Sequence, residues 1–403
     1  MPKRVAIVAS SCPPLGGGGV SSAHYNLYRV LKQRGYDARV FTFRDYKSGL
    51  VEQEIVRTGV PPWLERMVHL ASRLYFRILE PGTLAYHVSE VVSATWPCLI
   101  LRARIRDFRP DVLILPDHEC PGLMIGRPPG CRTILVAHHN PARFLNNLFW
   151  RRHSEVDARL TIRCESRVLK NVDAVVCPSE YMRDMFEKTY AYSGPVTVIP
   201  NLVDTAMIAA TPAQDLRAML NLPQDALLIY IPSAGSVYKG SRFVFEIIRR
   251  LARQTSKDIG FYLSGSIGAE LAYELRFAPS NAKIYAPGQV SYGTNLAIIK
   301  TCSFGVSPTL VENFSMALLE ANLCGVPMVS FDVGGNAEVI GHGLSGVVVP
   351  YPDMEALVTA ASRLMEEKYR AMMRVETLRR STEQFKEDAV AEAFIRLMDG
   401  GLS

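Results

Sequence analysis

The chain has 403 residues, of which 48% are hydrophobic and 21% charged. That composition fills full-sized cores and excludes a disordered, collagenous or mini-protein reading, and at roughly 150 residues per domain the length suits two to three domains, two being the simplest. Forty-five Lys plus Arg against 39 Asp plus Glu leave a formal charge of +6, an excess that suits an anionic ligand or a membrane surface and falls well short of a dedicated nucleic-acid binder.

Short β-rich runs alternate with helical patterns from end to end, which predicts parallel sheets covered by helices on both faces. After the basic start Met1-Pro2-Lys3-Arg4, Val5 to Ala9 reads as a buried strand and is too short for a signal segment. A glycine loop, Gly16 to Gly19, leads to a helix from Val20 to Gln33, a stop at Gly35 and a strand from Ala38 to Thr42. Further strands are predicted at Val112 to Leu115, Thr133 to Ala137, Val175 to Cys177 and Val196 to Ile199. Pro200 to Asp204, with a less ordered stretch to Pro212, reads as a hinge. A second series then starts at Leu227 to Ile231 and runs through Phe261 to Ser264, Ile284 to Ala286, Phe304 to Ser307, Met328 to Phe331 and Val347 to Val349. The expected fold is α/β: two Rossmann-like doubly wound domains facing a cleft, with ligand outside the carboxyl ends of the strands. The expected boundaries are 1–204, 205–380 and a C-terminal helix, 381–403, packing back on the N-terminal domain.

The eight cysteines, Cys12, Cys98, Cys120, Cys131, Cys164, Cys177, Cys302 and Cys324, show no CxxC spacing. A chain this long needs no disulfide staples, so they read as reduced thiols. No run approaches the roughly 18 apolar residues of a spanning helix, and a cytoplasmic protein is expected.

Three segments carry candidate chemistry. In the loop Pro14 to Val20, Gly17 and Gly18 can bring main-chain amides close to a phosphate at a helix start, or they form only a tight turn. A dinucleotide fingerprint fails there because its third glycine position is Ser21. His24, just beyond, reads as a satisfied surface histidine. In the second half, Glu312 stands at a loop-to-helix junction and Glu320 eight residues on, about 12 Å along a helix, with the amides of Asn313, Phe314, Ser315 and Met316 between them as helix-start donors. Glu312 could instead be an N-terminal cap and Glu320 a solvated residue, but Glu320 lies among Leu318, Leu319, Ala321 and Leu323, where a carboxylate needs a partner. The third segment is Pro62 to Leu79. In helical projection Trp63, Met67, Leu70, Leu74 and Ile78 form one stripe beside Arg66, His69, Arg73 and Arg77. It reads either as an element for a membrane surface or a lipid-diphosphate acceptor, or as a helix packed on the sheet with a solvated basic edge.

Glu312 and Glu320 in Glu-Asn-Phe-Ser…Leu-Leu-Glu-Ala…Cys-Gly-Val-Pro, followed by Gly334-Gly335-Asn336-Ala337-Glu338, resemble the retaining GT-B glycosyltransferases of family 4. Lys239-Gly240, Ile199 to Asp204, Asp173 to Ser179 and the first glycine loop fall in the order that family shows, so the resemblance covers most of the chain. It implies that Glu320 accepts ribose hydroxyls, Lys239 neutralises a diphosphate, and Glu312 holds donor-sugar hydroxyls at the reacting carbon. Gly17, Gly18, Gly240, Asn313, Phe314, Ser315 and Met316 would complete donor binding. His139, or its neighbour His138, resembles the histidine beside the transferred sugar. The family's Arg, about five residues before the Lys, is missing from Ser233 to Gly240; Arg242 or another cation takes its place, or Lys239 and the backbone act alone.

Without an Asp-x-Asp triplet no metal clamp is expected, and no cofactor beyond the nucleotide-diphosphate sugar itself. Paired neighbours such as His138 and His139 point to opposite faces of a strand, which argues against a metal there too. The expected partners are the sugar donor, a glycan or lipid-linked acceptor and an anionic surface at the inner face of the membrane, with no nucleic acid. The rivals are another GT-B activity such as a nucleotide-sugar epimerase, a dinucleotide-dependent oxidoreductase, and a non-enzymatic binding module.

Overall fold

The computed structural model describes residues 2–13, 18–46, 54–145 and 152–401. The chain divides into two compact units, Met1–Leu202 with Asp388–Ser403, and Val203–Glu387.

The first unit holds seven strands: β1 (Arg4–Ala9), β2 (Asp37–Thr42), β3 (Ile55–Arg57), β4 (Val112–Pro116), β5 (Arg132–Val136), β6 (Ala174–Cys177) and β7 (Val196–Val198). All neighbours pair parallel, in the order β3-β2-β1-β4-β5-β6-β7. Such a sheet is covered on both faces, which is why β1 reads as a continuous apolar run rather than an alternation. Val5 and Ile7 meet Leu27, Val30 and Leu31 of helix Gly19–Gln33 on one face, together with Val390, Phe394 and Leu397 of helix Glu387–Met398. Ala6 and Val8 meet Leu101 and Ile105 of helix His87–Phe108 on the other. Each large apolar side chain so buried contributes roughly 1.5–3 kcal/mol, so the last helix is held to this unit by its apolar stripe.

The second unit holds β8 (Leu228–Ile231), β9 (Ile259–Leu263), β10 (Ala282–Tyr285), β11 (Phe304–Ser307), β12 (Met328–Phe331) and β13 (Gly346–Val349), again parallel throughout, in the order β10-β9-β8-β11-β12-β13. Leu228 and Tyr230 enter one core and Ile229 and Ile231 the other. In both units the strand order reverses once, between β1 and β4 and between β8 and β11. Loops leaving those two strands part to opposite faces and open a crevice at their carboxyl ends.

Several details differ from the sequence expectation, among them the edge strand β3, which it did not include. The stretch after Asp204 is not irregular: Thr205–Ala210 is helical, started by the Asp204 carboxylate accepting the Met207 amide at 2.7 Å. His87–Phe108, unpredicted, runs through Pro97, a residue that ordinarily breaks a helix interior.

Candidate active site

The site of the second unit grows from the loops after β8, β11 and β12. Beyond β8 the chain makes a 3-10 turn, Val237–Lys239, and passes Gly240 at φ 80° into helix Ser241–Ala252. A Cβ at Gly240 would lie 2.0 Å from the Pro308 carbonyl oxygen, so only glycine lets this loop close on the one after β11. The Leu310 amide donates to the Tyr238 carbonyl at 2.9 Å across the same seam. The result sets Lys239 Nζ 2.5 Å from Glu312 Oε2. From the third side, Gly334 at φ 60° backs onto the Glu312 carbonyl, where a Cβ would stand 2.0 Å from the oxygen, and the Gly335 amide donates to the Asn313 carbonyl at 2.9 Å.

This seam makes a first prediction. Gly334→Ala is expected to cost at least about 2 kcal/mol, because the added methyl meets backbone on top of the left-handed strain. Gly343→Ala, at φ 75° with open space around it, is expected to cost only the strain, about 1 kcal/mol. Chemical denaturation of both variants checks this; equal losses would mean the close approach to Glu312 is of no consequence.

The helix carrying the second carboxylate is Met316–Leu323, capped by Ser315, whose Oγ accepts the Leu318 amide at 3.4 Å. It starts four residues after Glu312, so the helical spacing between Glu312 and Glu320 anticipated from sequence does not apply: Glu312 sits in the preceding loop. Nor is the Asn313 amide an open donor, since it bonds the Glu312 carboxylate at 3.1 Å. Phe314 is buried, its ring edge-on to Phe385, and Met316 is buried below the loop. Glu320 is buried and bonded to the Tyr292 hydroxyl; burial raises its pKa to about 7 against that bond. Tyr292 lies 28 residues upstream, a separation no local pattern could bridge.

The place where the family's Arg would stand is closed. Ala234 is buried, with its amide on the Ser264 carbonyl at 3.0 Å, and a Cβ at Gly235 would meet the Ser266 oxygen at 2.0 Å. Arg242 is exposed, its guanidinium 5.6 Å from the Phe243 ring centre.

In the first unit, Gly17 lies outside the described residues and Gly18 caps helix Gly19–Gln33 at φ 152°. Both candidate histidines lie just past β5. Asp117, just past β4, accepts the amides of His118 and His138 on Oδ1 at 2.7 and 3.0 Å and that of His139 on Oδ2 at 2.7 Å. Beyond this clamp the rings part: His138 faces His24, centroids 5.5 Å apart, whereas His139 lies 5.0 Å from His87 and 4.7 Å from His118. His24 is therefore not a surface histidine; it is buried, and burial lowers its pKa to about 4.

Burial likewise pushes His138 and His139 well below the ordinary value, with the neighbouring histidines adding to the effect. His118 goes the other way: burial opposes its charge, but bonds to Glu119 and Glu90 raise it to about 10. His139 Nδ1 stands 4.0 Å from Glu165 Oε1, and Glu165 takes a hydrogen bond from Tyr190. Sequence reasoning missed Asp117, His87, His118 and Glu165. The available signal was Asp117-His118-Glu119, three ionisable residues set against the end of a fully buried strand.

All eight cysteines are free. Among the described residues no cluster of three His, Cys, Asp or Glu side chains could hold a metal ion, and no helix is long and apolar enough to cross a membrane.

Two Rossmann-like units, the second with a lysine and carboxylate paired at its switch point, define the GT-B class. Solved structures share the fold: sucrose-phosphate synthase from Thermosynechococcus elongatus matches with a TM-score of 0.75 at 17% identity, covering 99% of this chain and 98% of that one. Anabaena Alr3699/HepE, solved in complex with UDP and glucose, matches with a TM-score of 0.73 at 15% identity, covering 99% and 100%. Residues 17–207 match the family described as Glycosyltransferase Family 4, and residues 213–384 match Glycosyl transferases group 1. The chain belongs to this glycosyltransferase family. Among its relatives, D-inositol 3-phosphate glycosyltransferase of Nocardiopsis dassonvillei is 23% identical over 87% of this chain and 83% of its own length. The lipopolysaccharide core biosynthesis mannosyltransferase LpsB of Rhizobium meliloti is 28% identical over 56% of this chain and 65% of its own.

Proposed function

We propose that the protein transfers a sugar, with retention of anomeric configuration and without a metal, from a nucleotide-diphosphate sugar to a hydroxyl of a glycan or lipid-linked glycan intermediate. The observation that carries this reading is the seam of glycine-backed loops that sets Lys239 against Glu312 at the switch point, ahead of buried Glu320. In this reading Glu320 takes the ribose hydroxyls, Lys239 and the amides opening helix Met316–Leu323 take the diphosphate, and Glu312 holds the sugar. Leaving of the diphosphate builds negative charge on phosphate and positive charge on the anomeric carbon. A fixed ammonium and helix-start dipoles oppose the first; the Glu312 carboxylate lies near the second. The acceptor attacks on the face from which the leaving group departs, and His139 is the counterpart, by family resemblance, of the histidine beside the transferred sugar. The work takes place in the cytoplasm at the inner face of the membrane.

Relatives named as glycosyltransferases and mannosyltransferases of inositol phosphates, phosphatidylinositol mannosides and lipopolysaccharide core support a phosphorylated or lipid-linked acceptor. The test is thermal stabilisation across a panel of UDP- and GDP-sugars, followed by turnover of the best donor with and without EDTA. A true donor raises the melting point in proportion to the logarithm of its concentration, and activity is expected to survive chelation. Stabilisation by none of them would overturn the donor assignment; loss of turnover restored by Mg²⁺ would overturn the metal-independent one.

A further inference from the structure

The helix Pro62–Leu79 is mounted with its apolar stripe outward. A surface helix of a globular protein ordinarily buries that stripe. Here the inner side is held by polar contacts: Glu65 pairs with Arg44, which also binds Glu119 at 2.6 Å, and His69 Nδ1 meets Ser89 Oγ at 2.8 Å. Phe76 is the one buried residue of the helix. On the outer side Trp63, Met67, Leu70, Leu74 and Ile78 are 56 to 80% exposed. Helix His87–Phe108, joined to it through that Ser89 contact, exposes Val92, Trp96, Leu99 and Ile100 in a stripe of its own. Patches of this extent on a soluble unit mark an interaction surface.

The charge says which partner. From Pro62 to Arg104 every exposed charged residue is an arginine: Arg66, Arg73, Arg77 and Arg104. The carboxylates of that stretch, Glu65, Glu80 and Glu90, are drawn in, toward Arg44, Ser154 and His118 respectively. An apolar face bearing two tryptophans and flanked mainly by arginines, with Asp107 the one exposed acid at the far end of helix His87–Phe108, is complementary to a bilayer with anionic head groups. We propose that these two helices form a docking surface for an anionic lipid membrane, the apolar stripe entering the head-group boundary and the arginines binding lipid phosphates. The inference deepens the membrane part of the proposed function and rests on it only there, since it is tested without turnover.

The test is sedimentation of the full chain with vesicles of phosphatidylcholine, with and without phosphatidylglycerol, across a salt series. Binding is expected only where phosphatidylglycerol is present and is expected to weaken with salt, because the attraction is screened over roughly 8 Å at physiological ionic strength. The triple variant R66Q/R73Q/R77Q is expected to lose affinity on the order of 100-fold. A second variant, M67S/L70S/L74S/I78S, is expected to abolish the residual binding at high salt while changing the melting temperature little, since these side chains are mostly exposed. Absence of vesicle binding by the wild type, or binding that survives both variants, would overturn the proposal. So would a dimer in sedimentation equilibrium that the serine variant dissolves, which would assign the face to a second copy of the chain. Donor binding by a protein that ignores vesicles would leave the glycosyltransferase reading intact and remove only this surface.

Discussion

Glu312→Ala is expected to lower turnover roughly 10²–10³-fold, the range seen when a preorganised group facing transition-state charge is removed, while the affinity for free nucleoside diphosphate changes little. The two partners of the ion pair are unequal. Glu312 is 11% exposed at its side chain and Lys239 32%, so removing the carboxylate leaves a cation that reaches water, whereas removing the lysine takes the neutralising charge from beside a nearly buried carboxylate that keeps the Asn313 amide. Lys239→Ala is therefore expected to lose both nucleotide affinity and stability, and Glu312→Ala turnover alone. Steady-state kinetics, calorimetric titration with UDP or GDP, and denaturation of both variants separate the cases. Wild-type kinetics in Glu312→Ala would remove the carboxylate from the reacting centre.

That pair also shows where sequence reading stops. Lys239-Gly240 and the Glu312 segment were each recognisable, because a strand end followed by glycine or by a capped helix leaves a local pattern. Their contact is not local: it exists because β8 lies beside β11 and because Gly240 and Gly334 admit backbone at 2.0 Å from where a Cβ would stand. Strands β11 and β12 were legible to the residue, being buried apolar runs with clear turns on either side. The strand β3 was not, since Ile55-Val56-Arg57 is three residues at a sheet edge with little pattern to show. In the histidine cluster, His87 and His153 come from distant points of the chain to within 6.2 Å of each other, and neither has a motif around it.

The Pro62–Leu79 helix divides the same way. Its period and its ends follow from the amphipathic pattern, as does the identity of its apolar stripe. The direction in which that stripe points does not, because periodicity defines a face without saying what covers it. The inner side is fixed by Arg44 and Ser89, partners from separate elements, and only their placement shows that the apolar side is the outer one.

Glu320 yields the prediction with the clearest pH signature. Burial raises its pKa from 4.5 to about 7, and the Tyr292 hydroxyl only partly restores the charge. Ribose hydroxyls donate hydrogen bonds, so they favour the carboxylate, and binding must draw the proton off whatever fraction of Glu320 is still protonated. Nucleotide affinity is thus expected to be highest above pH 7 and to fall as pH drops below it, approaching tenfold per pH unit. In the ligand-free protein the sign is opposite: a carboxyl whose folded pKa exceeds its unfolded one gives stability that is fully present below pH 4.5 and lost as pH rises through about 7. Bound nucleotide reverses that loss by using the charged form. Glu320→Gln keeps the shape, cannot ionise, and is expected to weaken binding at pH 8 by roughly 10- to 100-fold, the worth of one or two hydrogen bonds to a charged acceptor. Between pH 8 and pH 6 the gap between wild type and variant should narrow. The diphosphate's own titration affects both proteins alike, so the ratio of their dissociation constants isolates Glu320. A ratio that stays constant across that range would mean the ribose does not rest on this carboxylate.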